Sequence, residues 1–346
     1  MSLPHGPGGP ATPLAITASA PVRVCDHGGW TDTWFGGPGR VLNVAVAPGV
    51  EVSITAAPGP GGVVLDLRTF GERYRVLPDR VRRGRHRLVE AAIDAFPPPE
   101  GLAVTVTVSS AVPAGCGTGT SAAVTVALVG ALAALRGQDV SPREAAAAAH
   151  RIEVEVLGRE SGIQDQLAAA LGGINFMEID HYPDAEVIPL PAWDELGQLL
   201  SVVYLGRAHD SSAVHRQVIE DARKRRSVFD RLRDAAAAAR DAVLARDLAG
   251  FGRAMMANTE AQRDLHPALI GSDAARIIAS ASAAGCLGWK VNGAGGEGGS
   301  ITVLSATPDG RTDLERRVAA LGGGYRVLPL RPSAAGLDVR RRGPAG

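Results

Sequence analysis

Over the first third of the chain, apolar and polar positions alternate in short runs. Val22–Val24, Val41–Val46, Glu51–Thr55, Val63–Leu67 and Leu102–Val108 have strand-like content, and turn clusters such as Pro58-Gly-Pro-Gly-Gly62 separate several of them. The pattern then becomes helical. Ala122–Leu135 is a continuous apolar run, and Ser141-Pro-Arg-Glu144 sets an N-cap Ser, an N1 Pro and an N3 Glu in capping-box order ahead of an alanine run that Gly158 stops. A short helix is predicted from Gln164 to the Gly172-Gly173 pair, followed by a strand over Ile174–Ile179. Asp184–Leu200, with Pro189 and Pro191, reads as the passage to a second lobe. That lobe opens with Leu200–Leu205, continues as helices over Ala213–Ala261 and Ser272–Ala284, and closes with a β-hairpin turning at Asn292-Gly-Ala-Gly-Gly-Glu-Gly-Gly299. The predicted organisation is a loose, Pro- and Gly-rich terminus over 1–17, a first lobe over 18–188 and a second over 189–346, with no internal repeat.

Bulk properties narrow the function classes. A chain of 346 residues exceeds one ordinary domain, which agrees with two lobes, each with its own core. Lys+Arg and Asp+Glu are both 36, so no net basic field gathers nucleic acid or an anionic membrane, and small molecules are the expected partners. The basic stretches Arg80–Arg87 and Arg223–Arg226 read as solvated faces without a role. Cys25, Cys116 and Cys286 are odd in number and far apart, which argues against disulfides and structural zinc and fits a reducing, cytoplasmic setting. The first twenty residues lack the marks of a signal peptide, and Ser121–Leu135, closed by Arg136, is too short to span a bilayer.

The chemistry concentrates in Pro113-Ala-Gly-Cys-Gly-Thr-Gly-Thr-Ser-Ala-Ala123, a loop between a predicted strand and the long apolar run. A strand that ends in a glycine loop and restarts as a helix aims several backbone N–H groups at one point, where the helix dipole favours an anion. A P-loop needs a Lys after its glycines, and the two lysines, Lys224 and Lys290, do not supply it. Gly117-Thr-Gly-Thr-Ser-Ala122 satisfies a dinucleotide fingerprint, with Asp139 at a suitable distance. Against that reading stand its position after about a hundred residues, Pro113, and the hydroxyls of Thr118, Thr120 and Ser121, which suit a magnesium triphosphate.

Read with two further motifs, this loop resembles the second motif, P-x-x-x-G-L-G-S-S-A-A, of the GHMP small-molecule kinases, with Thr118 and Thr120 in place of Leu and the first Ser. Ala20-Pro-Val-Arg-Val-Cys-Asp-His-Gly-Gly-Trp-Thr-Asp32 is similar to the family's galactokinase-type first motif, A-P-G-R-V-N-L-I-G-E-H-T-D, with Gly29 and Trp30 replacing its Glu and His. Gly293-Ala-Gly-Gly-Glu-Gly-Gly299 resembles its G-A-G-G-G-G turn, with Glu297 where glycine is usual, a carboxylate that either points to solvent or weakens the nucleotide site. The resemblance covers about residues 18–330 and implies an α+β, two-lobed fold. Its N-terminal lobe would be ribosomal-protein-S5-domain-2-like and its C-terminal lobe ferredoxin-like.

The resemblance also implies roles. Asp165 would accept or orient the hydroxyl proton and Arg23 would stand beside it; ATP would be held by Pro113, Gly115, Cys116, Gly117, Thr118, Gly119, Thr120 and Ser121, with Gly295 and Gly296. Mg²⁺ would be bound by Ser121, Thr120 and Glu153, which lies twelve residues before Asp165, whereas Glu155 is about 200° around a helix from Glu153. Gly28, Gly29, Trp30, Thr31, Asp32 and Gly293 would meet the acceptor. Gly28-Gly-Trp-Thr-Asp-Thr33 looks like the branch that phosphorylates an anomeric hydroxyl, which includes D-glycero-D-manno-heptose 7-phosphate kinase and L-fucokinase. Gln164-Asp-Gln166, Gly172–Ile179 and His209-Asp-Ser-Ser-Ala-Val-His215 place the heptose branch first. Arg207, His209, Ser211 and Ser212 are then candidates, by composition, for the 7-phosphate. Whether the chain forms a homodimer is left open. An NAD(P)-binding oxidoreductase and a non-catalytic nucleotide-binding module are the alternatives from other classes.

Overall fold

The computed structural model describes residues 14–76, 84–208 and 212–342. Two sheets organise the chain. The larger has nine strands, with Asp338–Arg342, Leu14–His27, Gly39–Pro58, Leu102–Ser110, Val63–Leu67 and Glu72–Arg75 side by side in that order. Arg331–Pro332 and Ile174–His181 also pair with the Gly39–Pro58 strand, and Asp184–Leu190 pairs with Ile174–His181. Almost all these pairings are antiparallel; Val63–Leu67 alongside Leu102–Ser110 is parallel.

The predicted strands at 41–46 and 51–55 are halves of one twenty-residue strand. Its first half pairs with Ile174–Ile179 and its second with Leu102–Ser110, and Pro48-Gly49 lies at the exchange of partners, where a missing N–H breaks no continuous ladder. A Cβ on Gly49 would lie 2.3 Å from the Ala20 carbonyl oxygen, so the residue between the two halves must be small.

The Thr120–Leu135 helix is apolar all round and is covered accordingly, by the sheet on one side and by Pro142–Arg151 and Gln164–Leu171 on the other. The Ser141 capping box forms: its hydroxyl accepts from the Glu144 N–H at 3.3 Å, and the Glu144 carboxylate accepts from the Ser141 N–H at 2.8 Å. That helix does not run regularly to Gly158. It changes over Ile152–Val156 to a π-helical turn, a wider winding that often marks functional positions.

The second sheet is wholly antiparallel, in the order Arg326–Leu328, Leu200–Tyr204, Ser300–Leu304, Gly288–Val291. Ser272–Ala283 and Pro308–Ala320 cover it with a core of Val203, Ile277, Val303 and Leu314. The helices Arg226–Ala245 and Leu248–Leu265 lie between the sheets, with Ala236, Ala239 and Phe251 in the core of the first and Phe229, Leu232 and Leu265 around Trp30.

Several expectations change at the edges. Leu14–Thr17, predicted as part of a loose terminus, are the start of a strand paired on both sides, while residues 1–13 lie outside the described residues. Asp184–Leu190 is an edge strand rather than a bare passage, and an edge accommodates Pro189. Residues 331–342 return to the first sheet, although the sequence reading assigned all of 189–346 to the second lobe. Of the basic stretch 80–87, residues 80–83 lie outside the described residues.

Candidate active site

Arg23 and Asp165 form a two-pronged ion pair. Nε donates to Oδ1 at 2.8 Å and Nη2 to Oδ2 at 3.2 Å, a geometry that suits a guanidinium fork on a carboxylate. Arg23 lies on the Leu14–His27 strand, and Asp165 lies in the first turn of Gln164–Leu171, where the helix dipole favours its charge. The Arg23 Nη1 also donates to the Gly117 carbonyl, and its backbone N–H to the Thr118 carbonyl at 2.9 Å, so one residue joins strand, helix and glycine loop. Burial works against its charge, but Asp165, Asp26 and Asp32 outweigh that and push its pKa above the ordinary value.

The glycine motifs converge here. Gly119, at φ 70°, precedes the Thr120–Leu135 helix, and a Cβ on it would lie 3.2 Å from the Asp165 carboxylate. Gly117 and Gly293 face one another: a Cβ on Gly117 would stand 2.8 Å from the Asn292 carbonyl oxygen, and one on Gly293 2.7 Å from that of Gly117. Both have positive φ, so glycine is required on two counts.

On one side of this junction is a cavity of about 360 Å³ lined by Gly115, Thr120, Ser121, Val124, Phe70 and His86, with Arg85, Arg87 and Arg159. No side chain caps the Thr120–Leu135 helix, so its first N–H groups remain available to an anion beside this cavity. That fits a nucleotide triphosphate.

On the other side is a cavity of about 130 Å³ lined by Arg23, Asp26, Trp30, Asp32, Glu160, Ser161, Gly162, Gln164, Asp165 and Gly293, among others. Asp32 accepts from the Gln164 backbone N–H at 3.1 Å. Burial, then the like charge of Asp165, raises its pKa from 3.8 to about 6. Gly162 leaves room for it, since a Cβ there would lie 1.9 Å from Asp32 Oδ2.

Glu153 begins to define a cation position. Its Oε2 accepts from Ser161 Oγ at 3.0 Å and Gln166 Nε2 at 2.9 Å, while its buried Oε1 has no partner among the described residues. Burial raises its pKa, and Asp165 adds to the rise. A divalent cation would satisfy that oxygen. Among the described residues no group of three or more His, Cys, Asp and Glu could hold a metal alone, and Glu153 lines neither cavity, so a cation there would need hydroxyl and phosphate oxygens to complete its coordination.

Other predicted site residues are placed elsewhere. The Thr31 hydroxyl is fully buried, 2.6 Å from the Gly28 carbonyl oxygen, and accepts from the Arg40 N–H at 3.1 Å, so it fastens a turn rather than meeting an acceptor. Gly28, whose N–H donates to Asn258 Oδ1 at 2.7 Å, belongs to the same turn, and neither Gly28 nor Gly29 lines the small cavity. Gly295 and Gly296 pack on the 267–271 segment, where the Gly296 N–H donates to the Leu269 carbonyl at 2.7 Å, and they line neither cavity. Pro113, Cys116 and Thr118 shape the loop without lining either cavity; Cys116 and Thr118 are buried.

Glu297 lies at the surface, its side chain 52% exposed, as one of the two expectations had it, and its carboxylate is engaged there. Its Oε1 accepts from the Ser272 N–H at 3.0 Å at the start of a helix, and its Oε2 pairs with Arg207. Arg207, bound also to Asp273 at 2.7 Å, has its guanidinium engaged by two carboxylates. His209, Ser211 and the Ser212 side chain lie outside the described residues. The dinucleotide reading fails on topology, because the strand before the glycine loop pairs antiparallel on one side and its parallel neighbour, Val63–Leu67, precedes it, so among the described residues no strand after the helix pairs parallel with it. Asp139 is exposed and faces Arg341.

Sequence reasoning missed Asp26 and Lys290, a buried ion pair at 3.2 Å whose carboxylate also accepts from the Gly293 N–H. The available signal was Lys290, the single charge of the short Gly288–Val291 strand, and Asp26, a second charge on the strand of Arg23.

A glycine loop on an uncapped buried helix, set against a second glycine turn and beside an Arg–Asp pair, defines a two-cavity α+β class of protein. The chain belongs to the GHMP kinase family: residues 86–173 match the GHMP kinases N terminal domain and residues 239–323 the GHMP kinases C terminal region. Members of this family are phosphotransferases with alcohol acceptors that use ATP. A mevalonate kinase of Thermococcus sibiricus is 29% identical over 231 residues, spanning 64% of this chain and 65% of that relative. The solved structure of a D-glycero-D-manno-heptose 1-phosphate kinase from Bacteroides thetaiotaomicron matches with TM-score 0.72 at 22% identity, covering 94% of this chain and 98% of that one. Lactococcus lactis galactokinase complexed with galactose matches with TM-score 0.74 at 17% identity, covering 94% and 95%. These structural likenesses establish the fold. Among the described residues no helix is long and apolar enough to cross a membrane.

Proposed function

We propose that the protein is an ATP-dependent sugar kinase that transfers the γ-phosphate to an anomeric hydroxyl. The observation that carries this reading is the Arg23–Asp165 pair, held at the junction of two glycine turns between a nucleotide-sized cavity and an acceptor-sized one. Ser121, Thr120 and the N–H groups at the start of the Thr120–Leu135 helix would hold the triphosphate, with Glu153 and Ser121 supplying oxygens to Mg²⁺. The metal, when bound, neutralises triphosphate charge. Asp165 takes or orients the acceptor's proton at its carboxylate, and Arg23 keeps that carboxylate aimed and offsets negative charge that develops on the attacking oxygen. An anomeric hydroxyl is more acidic than an ordinary alcohol, which lightens the task of an aspartate base.

Heptose 7-phosphate, the first acceptor suggested by sequence, needs a cation for its phosphate. Among the described residues the small cavity offers one cation, Arg23, already bound to Asp165, against Asp26, Asp32, Glu160 and Asp165. That balance favours the second reading, an unphosphorylated monosaccharide as in an L-fucokinase-like enzyme. It also disfavours mevalonate, which carries a carboxylate. The test is Mg-ATP with a panel of sugars and sugar phosphates, locating the new ester by NMR. Asp165→Asn should fold and lose about 10²–10⁴-fold in turnover; an unchanged rate would remove Asp165 from the chemistry.

A further inference from the structure

We propose that Asp26, held by the buried ammonium of Lys290, is a second carboxylate that reads the acceptor, and that the acceptor is therefore an uncharged polyol. This rests on taking the small cavity as the acceptor site.

Asp26 lies three residues beyond Arg23 on the same strand, Lys290 lies on Gly288–Val291 of the second sheet, and the pair is nearly inaccessible, with side-chain exposures of 1% for Lys290 and 2% for Asp26. Lys290 Nζ lies 3.2 Å from Asp26 Oδ1 and 3.3 Å from Gln262 Oε1, and it also donates to the Val291 carbonyl, so its three protons are all committed inside the protein. The Gly293 N–H reaches Oδ1 at 3.2 Å and Oδ2 at 3.1 Å. A carboxylate accepts about four hydrogen bonds. These fixed donors leave Oδ2 with unused capacity in a residue that lines the cavity.

A buried ion pair is seldom a stabilising choice compared with apolar residues of the same volume, which directs attention to what the pair holds in place. It fixes a carboxylate in the cavity wall and ties that carboxylate to the glycine turn at Gly293. With Asp32, the wall then presents two oriented acceptors and no free cation among the described residues. Such a surface complements a ligand rich in hydroxyl donors, and about 130 Å³ is of monosaccharide size. An anionic group brought into it would meet carboxylates without a compensating charge.

The experiment measures Mg-ATP-dependent phosphorylation of L-fucose, D-mannose and D-galactose against heptose 7-phosphate, D-mannose 6-phosphate and mevalonate. At least one free sugar should show kcat/KM about tenfold or more above every anionic acceptor. Asp26→Asn should raise the KM for that sugar about 10- to 100-fold, the loss of one hydrogen bond to a charged group, with the KM for ATP unmoved. A monodeoxy analogue lacking the hydroxyl that Asp26 reads should be handled equally by wild type and variant. Because Asp26→Asn strands the Lys290 charge, Asp26→Asn/Lys290→Gln provides a charge-balanced second variant for the same comparison. Preference for an anionic acceptor would overturn the inference and leave the kinase reading standing. Folded variants with unchanged sugar KM would make the pair purely structural and overturn it too. ATP turnover with no acceptor of either class would overturn the kinase reading itself, and the inference with it.

Discussion

Asp32→Asn should stabilise the protein while impairing acceptor use. Asp32 sits in the wall of the small cavity, buried and close to Asp165, and its pKa rises from 3.8 to about 6. The folded state therefore binds a proton that the unfolded chain has released between about pH 4 and pH 6, and stability falls with rising pH through that window. At about 1.4 kcal/mol per pH unit the ionised carboxylate costs about 3 kcal/mol at neutral pH. An Asn avoids that cost and can still accept from the Gln164 N–H. The difference in unfolding free energy between variant and wild type should be near zero below pH 4, grow through pH 5 and level off above pH 6 at about 3 kcal/mol in the variant's favour. Urea melts at fixed pH across this range measure it, and taking the difference removes groups common to both proteins. One such group is His27, whose pKa burial lowers to about 3, so that it works in the opposite sense and withdraws stability as pH falls below 6.5. The same variant should raise the acceptor KM about 10- to 100-fold at pH 8, since a charged acceptor is lost. A variant no more stable than wild type at pH 8, or a stability difference independent of pH, would refute the account of Asp32 as a strained binding carboxylate.

Other substitutions test neighbouring parts of the site. Thr120→Val and Ser121→Ala should raise the KM for Mg-ATP more than that for the acceptor, because each removes a hydroxyl beside the nucleotide cavity and leaves the amides in place; steady-state kinetics with each substrate varied would show equal losses if this placement is wrong. Gly162→Ala puts a Cβ 1.9 Å from Asp32 Oδ2. It should displace that carboxylate and raise the acceptor KM by tenfold or more while ATP binding, followed by titration calorimetry, stays within about twofold.

Much of the fold was legible along the chain because its signals are local. The Ser141 box, the Gln164 helix start, the Gly172-Gly173 stop and the Asn292–Gly299 turn each depend on residues within a few positions of one another, and each lies where the pattern placed it. The three glycine motifs were equally plain. Their apposition was not a local property, because Gly117 and Gly293 need glycine on account of each other's backbone.

The sequence by itself thus determined the succession of strands and helices, the phosphate-type loop and the family to which they belong. Tertiary structure decided which polar residues share a cavity. Arg23 meets Asp165 across 142 positions and Lys290 meets Asp26 across 264, while Glu297, inside the third motif, turns away to cap a helix and bind Arg207. Spacing along a chain encodes helix faces and strand faces; which faces then meet depends on strand order and crossover paths, and only that meeting brings charges close enough to alter one another.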